Sequence, residues 1–251
     1  MGSEAGMDLM TFLMLSGIAA VGGFMRGFAG TATTLFMVPL FSLVLVPAEA
    51  VLLGVLLDVA ATAPLVPRAL RQADWSSLAP LLVGGVVVIP LGAYLLVSMP
   101  VAAMRIAIAV TVVFSSLLLL SGWSYPGPKT PVVSFAVGAF AGTLGSATGI
   151  GGPPIAVYFL ATGAPAPEVR ANLNVYSFIR MSLSAAMIAY AGSFGVGILV
   201  KTGLLFPAMI AATWIGTRAF RVVSDRVFRR ALLIVLIALG IWLVIRTVAG
   251  A

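Results

Sequence analysis

Residues 142–154 read GTLGSATGIGGPP, with five glycines and two prolines in thirteen residues between two strongly apolar stretches. Inside a helix each glycine costs about 1 kcal/mol relative to alanine, and a proline costs about 3 kcal/mol. A backbone group left unpaired in lipid adds a further cost. The stretch therefore predicts a helix break at membrane depth, where a break is costly unless something binds the freed backbone groups.

The chain around this stretch has the composition of a helical membrane protein. Of its 251 residues 61% are hydrophobic and only 8% are charged, and the mean hydropathy is +1.18. Soluble domains carry about 25% charged residues. Apolar stretches long enough to cross a bilayer recur from end to end. We therefore predict an all-α, polytopic membrane protein, whose net charge of +7 belongs to loops and not to a nucleic-acid-binding surface.

Two residue types are absent from the chain, and their absence excludes several functions. Without cysteine there is no disulfide, thiol nucleophile or thiolate metal site. Without histidine the commonest general base and the commonest transition-metal ligand are missing. We therefore predict that the chain is not an enzyme, holds no metal and needs no cofactor.

The chain divides into two halves, 1–125 and 126–251, which we treat as two repeats within one integral membrane domain. The second apolar element of each half is short and follows a break, as expected of a re-entrant helix. The predicted architecture is two repeats, each with a broken helical hairpin followed by three transmembrane helices. The ten elements cover about 8–28, 31–46, 48–66, 76–98, 102–122, 131–145, 150–163, 168–191, 196–218 and 228–249.

The two halves also share a sequence motif. Positions 23–33 have the pattern G-x3-G-x2-G-T-A-T, and positions 138–148 have G-x3-G-x2-G-S-A-T, 115 residues later. A repeat with a break at matching positions is the sequence feature that best points to a transporter substrate site. A second interpretation stays open for the first two glycines of each motif, because G-x3-G frames also allow close helix packing.

The basic residues predict how the chain is oriented in the membrane. If the loop at 67–75 is cytoplasmic, nine basic residues lie inside and three outside, in agreement with the positive-inside rule. The same count of crossings gives the two halves opposite orientations and places both termini outside. We therefore predict that the repeats are inverted.

The two breaks are the first part of a candidate binding site. A helix that begins after a break presents free N–H groups and a partial positive charge, and both attract anions. Glycines let a ligand approach the backbone, and hydroxyls add donors. Inverted repeats bring two such N-termini together near the membrane midplane. The candidate substrate-binding residues of the breaks are Gly30, Thr31, Thr33, Thr34, Gly145, Ser146, Thr148, Gly149, Gly151 and Gly152.

Two arginines within the spans are the second part of the candidate site. Arg180 lies near the middle of its span, where an arginine costs about 2.5–3.5 kcal/mol, and Arg26 lies deep in the first element. Either guanidinium can bind an oxyanion by charge-assisted hydrogen bonds. The alternative for Arg180 is a structural pair with Asp58 or a carbonyl group. The alternative for Arg26 is a snorkelling or helix-end position.

Three further polar residues have two interpretations each. Asp58 is the sole acid in the middle of a span, and either carries a proton during transport or forms a structural pair with Arg180. Asn174 and Ser177 precede Arg180 on one helix. They either face the substrate cavity or hydrogen-bond to a neighbouring helix.

The two motifs, the GIGGPP break at 149–154 and the layout of nearly the whole chain resemble the TauE/SafE family of sulfite exporters and sulfonate permeases. In the first half GTATTLFMVP at 30–39 has threonines in place of the glycine run and keeps Pro39, so this half is expected to contribute hydroxyls and Arg26. The resemblance implies a bacterial inner-membrane transporter of small sulfur-containing oxyanions, usually directed outward.

The residues and the resemblance together predict a secondary transporter that exports sulfite or a short organosulfonate by alternating access at a midplane site. Its partners are this anion and the lipid bilayer, and a homodimer is one open oligomeric state. Two alternatives stay open: an anion channel lined by the same donors, and an uptake permease for a sulfur oxyanion or a carboxylate. A metal transporter is disfavoured because acidic clusters, His and Cys are missing.

Overall fold

The computed structural model describes residues 8–29, 33–128, 130–161, 163–192, 195–219 and 225–249. Within these ranges the chain is helical and contains no strand, which confirms the predicted all-α class. The helices are α1 (Leu9–Ala29), α2 (Thr33–Val44), α3 (Pro47–Thr62), α4 (Val66–Gln72), α5 (Trp75–Val87), α6 (Ile89–Ser98), α7 (Val101–Leu120), α8 (Pro131–Thr148), α9 (Gly152–Leu160), α10 (Ala166–Gly192), α11 (Gly197–Ala219) and α12 (Asp225–Ala249), with a 3-10 helix at Ala63–Leu65.

Seven segments of the described residues are long and apolar enough to cross a membrane, which makes the protein a polytopic integral membrane protein. Helix α10 has 27 residues but is not among them, because its asparagines, serines and charged residues lower its hydropathy. The seven segments are Leu9–Gly27, Pro47–Gln72, Trp75–Ser98, Val101–Leu120, Pro131–Thr148, Gly197–Ala219 and Arg230–Ala249.

Each half begins with a long helix that is followed at once by a short one. Helix α2 has 12 residues and α9 has 9. At 1.5 Å per residue they extend over about 18 and 14 Å, whereas the hydrocarbon core is about 30 Å thick. These lengths support the predicted broken hairpins α1–α2 and α8–α9. Three long segments then follow in each half, as the sequence predicts.

The first half departs from the predicted boundaries in its third and fourth elements. The third element continues past the predicted end at 66, through the 3-10 helix Ala63–Leu65, and ends at Gln72. The fourth is divided at Val88 into α5 and α6. Prolines at positions 64, 67 and 90 explain both interruptions, because proline cannot donate a backbone hydrogen bond and clashes with the preceding turn.

The second break is shorter than the sequence predicts. Helix α8 continues to Thr148, so Gly145 and Ser146 lie inside the helix and not in the break. Gly149, with φ of +75°, ends the helix and donates its N–H to the Gly145 carbonyl at 3.0 Å. The glycines of α8 are tolerated because they let its backbone touch that of α5, a contact that offsets their low helix propensity.

The first two glycines of each motif are helix-packing positions. A Cβ atom built on Gly23 or Gly27 would collide with the backbone of α11. A Cβ atom built on Gly138 or Gly142 would collide with the backbone of α5. The packing interpretation therefore accounts for these four glycines. The first helix of each half packs against a helix of the other half, α1 against α11 and α8 against α5.

The directions of these helices bear on the predicted inversion. Gly23 contacts Met209 and Gly27 contacts Thr213, so α1 and α11 run in the same direction. Gly138 contacts Leu81 and Gly142 contacts Gly85, so α8 and α5 also run in the same direction.

Helix α3 links these two parallel pairs. Glu49 near its start forms an ion pair with Lys201 near the start of α11, so α3 runs in the direction of α11 and α1. Only two residues join the span that ends at Gln72 to α5, so α5 runs the opposite way. Helix α8 therefore runs opposite to α1, which supports the predicted inversion of the repeats.

We expect Gly23→Ala to lower the stability of the protein by about 1–3 kcal/mol, because the added methyl group meets the Met209 carbonyl. Thermal unfolding in detergent measures the change. Gly17→Ala in the same helix is the control, since a Cβ atom there meets nothing within 4 Å. It should keep or raise the stability, by up to about 1 kcal/mol. Equal unfolding temperatures for the two variants would contradict the close contact.

Candidate functional site

Arg180 lies at the centre of α10 and is almost fully buried. It is residue 15 of the 27 in that helix, and 1% of it is exposed. About 20 Å of helix therefore separates it from either end. Its guanidinium packs against Gly145 of α8, where a Cβ atom would overlap the guanidinium nitrogens. Glycine at this position is what gives Arg180 its space.

The Arg180 guanidinium has unused hydrogen-bond donors. In the described part of the chain its Nε and Nη1 atoms have no hydrogen-bond partner, and no carboxylate lies within ion-pair distance of it. The hydroxyls of Ser146 and Ser184 are also buried without a described partner. A buried polar group left unpaired costs about 1–3 kcal/mol, and a charged group costs more. This centre fits a ligand that brings negative charge and hydrogen-bond acceptors.

Arg26, in contrast, has partners for both terminal guanidinium nitrogens. Its Nη1 atom forms an ion pair with Asp58 and lies 3.4 Å from Thr33 Oγ1. Its Nη2 atom donates to Thr62 Oγ1 at 2.8 Å, and that hydroxyl donates to the Asp58 carbonyl at 2.6 Å. The network joins the end of α1 to the start of α2 and to α3. It therefore fixes the end of α1 and the start of α2 against α3.

The partner of Asp58 differs from the partner that the sequence suggested. Asp58 pairs with Arg26 and not with Arg180, because the end of α1 folds against α3. Arg26 is 8% exposed and Asp58 is 6% exposed, so a snorkelling position does not describe Arg26. Arg26, Asp58 and Arg180 are the buried charged residues of the described chain, and their charges sum to +1.

The second break uses part of its own polar groups internally. The Thr148 hydroxyl donates to the Leu144 carbonyl at 2.7 Å and accepts the Ile150 N–H at 3.4 Å. Helix α9 starts at Gly152, after Gly151, and its next two residues are prolines without N–H groups. Gly151 and Gly152 therefore supply the free donors at this N-terminus. A Cβ atom on Gly152 would meet nothing within 4 Å, so open space adjoins Gly152, whereas Gly151 packs closely against Ala141 and Gly145 of α8.

The second break lies against the short helix α2 of the first half. Thr33 and Thr34 open α2 and are buried, whereas Gly30 and Thr31 lie outside the described residues. A Cβ atom on Gly149 would lie 2.9 Å from Val38 Cγ2 of α2. The second break thus rests on the short helix of the first.

At the other end of α2, a cation stabilises the last turn. Arg105 of α7 donates from Nε to the Ser42 carbonyl at 3.0 Å. Positive charge is favourable at a helix C-terminus. Helix α2 is therefore fixed by an arginine at each end.

Asn174 and Ser177 of α10 stay candidate cavity-facing residues. Asn174 and Ser177 are half-buried, six and three residues before Arg180. The described hydrogen bonds from α10 to neighbouring segments come from other residues: Asn172 Oδ1 accepts the Asp74 N–H at 2.9 Å, and the Tyr176 hydroxyl donates to the Gly138 carbonyl at 3.2 Å.

Two residues of the buried centre were not identified from the sequence. Thr62 follows Asp58 by four positions, and Ser184 follows Arg180 by four. Residues at this spacing share a helix face. A hydroxyl one turn beyond a mid-span charge is the pattern that points to them.

The fold and the buried cationic centre define the class of this protein as a polytopic membrane transporter. Residues 15–243 match the family described as "Sulfite exporter TauE/SafE", so the chain belongs to the TauE/SafE sulfite exporter family. It is similar to a protein of Cupriavidus necator described as "Probable sulfite/organosulfonate exporter TauE", with 23% identity over 202 residues and 78% of each chain covered. No solved structure matches the chain. Members of this family are transporters and not enzymes, as the composition predicts.

Asp58→Asn should lower the stability by about 3–5 kcal/mol, because it leaves the buried Arg26 guanidinium without its counter-charge. The double variant Arg26→Met/Asp58→Asn removes both charges, and we expect it to lose much less than the sum of the two single variants. Thermal unfolding of Arg26→Met, Asp58→Asn and the double variant, each compared with the unmodified protein, completes a double-mutant cycle. Additive losses would show that the pair is not coupled.

Proposed function

We propose that the protein exports a small monovalent anion, either sulfite in its hydrogensulfite form or a short organosulfonate, by alternating access around Arg180. The observation that carries this proposal is the buried guanidinium with two unpaired nitrogens. The description of the Cupriavidus necator relative as a sulfite/organosulfonate exporter supports the choice of a sulfur oxyanion.

The charge of the core supports a monovalent substrate. Asp58 neutralises Arg26, and Arg180 keeps its charge, so the described core carries +1. A sulfonate or hydrogensulfite ion carries one negative charge and several acceptor oxygens. Its binding would make the core neutral and give the Arg180 N–H groups partners in charge-assisted hydrogen bonds. A divalent anion such as sulfate would leave an uncompensated negative charge.

The N-terminus of α9 is the second part of the proposed site. Gly151 and Gly152 present free N–H groups at the positive end of this helix, and open space adjoins Gly152. The Ser146 hydroxyl is an additional donor. The first half contributes by position, since Arg26 anchors the start of α2 through Thr33, and Val38 of α2 lies against Gly149 of the second break. We infer that the anion binds between Arg180 and the start of α9.

Outward transport needs no coupling ion on this proposal. A monovalent anion that leaves a cell with a negative interior gains about 2.3 kcal/mol per 100 mV of membrane potential. Asp58 is occupied by Arg26, which favours a structural role over that of a proton carrier. The 1% exposure of Arg180 favours a carrier over an open channel. The orientation is the one predicted from the basic residues, in a bacterial inner membrane with both termini outside.

The experiment that tests this function is anion flux into or out of liposomes that contain the purified protein. A panel of sulfite, sulfate, thiosulfate, taurine, isethionate, sulfoacetate and acetate covers charge and oxyanion type. We expect saturable flux of sulfite or isethionate and at least about tenfold less flux in Arg180→Met, because a hydrogen bond to a charged group is lost. Arg246→Met is the control, since Arg246 is exposed beside Trp242. Unchanged flux in a folded Arg180→Met protein would remove Arg180 from the site.

Gly152→Val should fold normally and lower the flux, because its side chain enters the open space at the start of α9, where a Cβ atom meets nothing within 4 Å. The flux should fall at least about tenfold if that space holds the anion. Gly203→Val on α11 is the matched control, since a Cβ atom there also meets nothing within 4 Å. Equal flux in the two variants, with unfolding temperatures unchanged, would place the anion elsewhere.

A further inference from the structure

The helices of the two halves are exchanged so that the packing units differ from the sequence halves. Helices α1, α2 and α3 pack together with α11 of the second half, and we call this unit lobe A. Helices α8, α9 and α10 pack together with α5 and α6 of the first half, and we call this unit lobe B. Helices α7 and α12 pack against each other.

Within each lobe the exchanged helix is held by contacts between backbones. Gly23 and Gly27 bring α1 against the α11 backbone, and Gly216 of α11 brings it against the carbonyl of Phe24. Gly138 and Gly142 do the same between α8 and α5 in lobe B. Contacts of this kind have no layer of side chains that can change rotamer as one helix slides past another. Each lobe should therefore move as one body.

A polar link adds to these contacts in each lobe. In lobe A, Lys201 Nζ of α11 lies 2.6 Å from Glu49 Oε1 of α3. In lobe B, the Asp74 N–H at the start of α5 donates to Asn172 Oδ1 of α10 at 2.9 Å. Both links join the third element of one half to the fourth element of the other. They lie at opposite ends of the span Pro47–Gln72, about 37 Å apart along a helix.

The contact between the lobes has a different character. It is formed mainly by α3 and α10, and by the apolar side chains of Val38 and Val51 against Gly149. Leaving Phe24, Phe159 and Ala164 aside, the described side-chain hydrogen bonds and ion pairs between helices join helices of one lobe or tie α7 to α2. Apolar surfaces without directional bonds can repack at low cost. Arg26 and Asp58 belong to lobe A, and Arg180 belongs to lobe B.

One span connects the lobes at an interruption. Helix α3 belongs to lobe A, whereas its continuation α4 packs on α10 of lobe B. Between them lies the 3-10 helix Ala63–Leu65, directly after Thr62 of the Arg26 network. A 3-10 stretch within a helix often marks a hinge.

We propose that lobes A and B, and not the two sequence halves, are the rigid bodies that move during transport, with Ala63–Leu65 as a hinge between them. The proposal rests on the proposed function only for the identity of the anion that passes between the lobes. The anion binds at Arg180 where the lobes meet, and their relative rotation exposes it to one side of the membrane and then to the other.

Distances between spin labels test this assignment, and the chain has no native cysteine to interfere with labelling. Leu13 on α1, Leu204 on α11 and Leu91 on α6 are exposed leucines that accept a labelled cysteine. The pair Leu13→Cys/Leu204→Cys joins different halves within lobe A. The pair Leu13→Cys/Leu91→Cys joins lobe A to lobe B within the first half. The two assignments of the moving bodies therefore predict opposite results for the two pairs.

We expect a single, narrow distance for Leu13→Cys/Leu204→Cys in liposomes, with and without sulfite. Leu13→Cys/Leu91→Cys should show two distances, or a shift of more than about 2 Å when sulfite is added. The reverse pattern would assign the motion to the sequence halves, and identical behaviour of both pairs would also overturn the proposal. The expected pattern in a protein that transports no member of the anion panel would reject the proposed function and keep the two lobes.

Discussion

Contact between helix backbones at glycine is the interaction on which the rest of this structure depends. In lipid no hydrophobic force draws two apolar helices together, so close packing must do so. Gly23 and Gly27 on α1 and Gly138 and Gly142 on α8 provide it twice. Because each contact recruits a helix from the other half, neither half can form its own bundle. The interlocking of the halves brings the two broken hairpins together in the core.

The core then carries two arginines with very different environments. Arg26 has a carboxylate and two hydroxyls around it, so its burial is compensated within the protein. Arg180 has a glycine beside its guanidinium and two unpaired nitrogens, so the described residues leave part of its hydrogen-bonding capacity unused. Neutralising one of the two arginines therefore has a different effect at each site. At Arg26 it breaks a structural pair, and at Arg180 it removes the attraction for a ligand.

The architecture was predictable from sequence because its signals are local. Glycine and proline at 149–154 mark the second break, and the spacing between apolar stretches marks the spans. The repeat of the G-x3-G-x2-G frame gives the matching position in the first half. Arg180 is conspicuous for the same reason, since a charge in the middle of an apolar segment needs no neighbour to be noticed.

The partners of these residues were not predictable, because they depend on which helices meet. Asp58 has an arginine available in either half, and only the fold of α1 against α3 assigns it to Arg26. The exchange of α5 and α11 is also invisible in a linear sequence, although the four glycines that permit it are plain. The sequence predicts that α8 ends near Gly145, but the helix continues to Thr148. Tertiary contact outweighs the low helix propensity of Gly145.

The polarity of α10 has a consequence for biosynthesis. This helix is the least suited of the long helices to leave the translocon directly into lipid, because asparagine, serine and arginine lie along it. The helices with which it makes its main described contacts, α3 to α6, α8 and α9, all precede it in the chain. Its polar face can therefore be received by protein that is already in the membrane. Helix α11, which completes lobe A, is synthesised after α10, so the first lobe to begin forming is also the last to be finished.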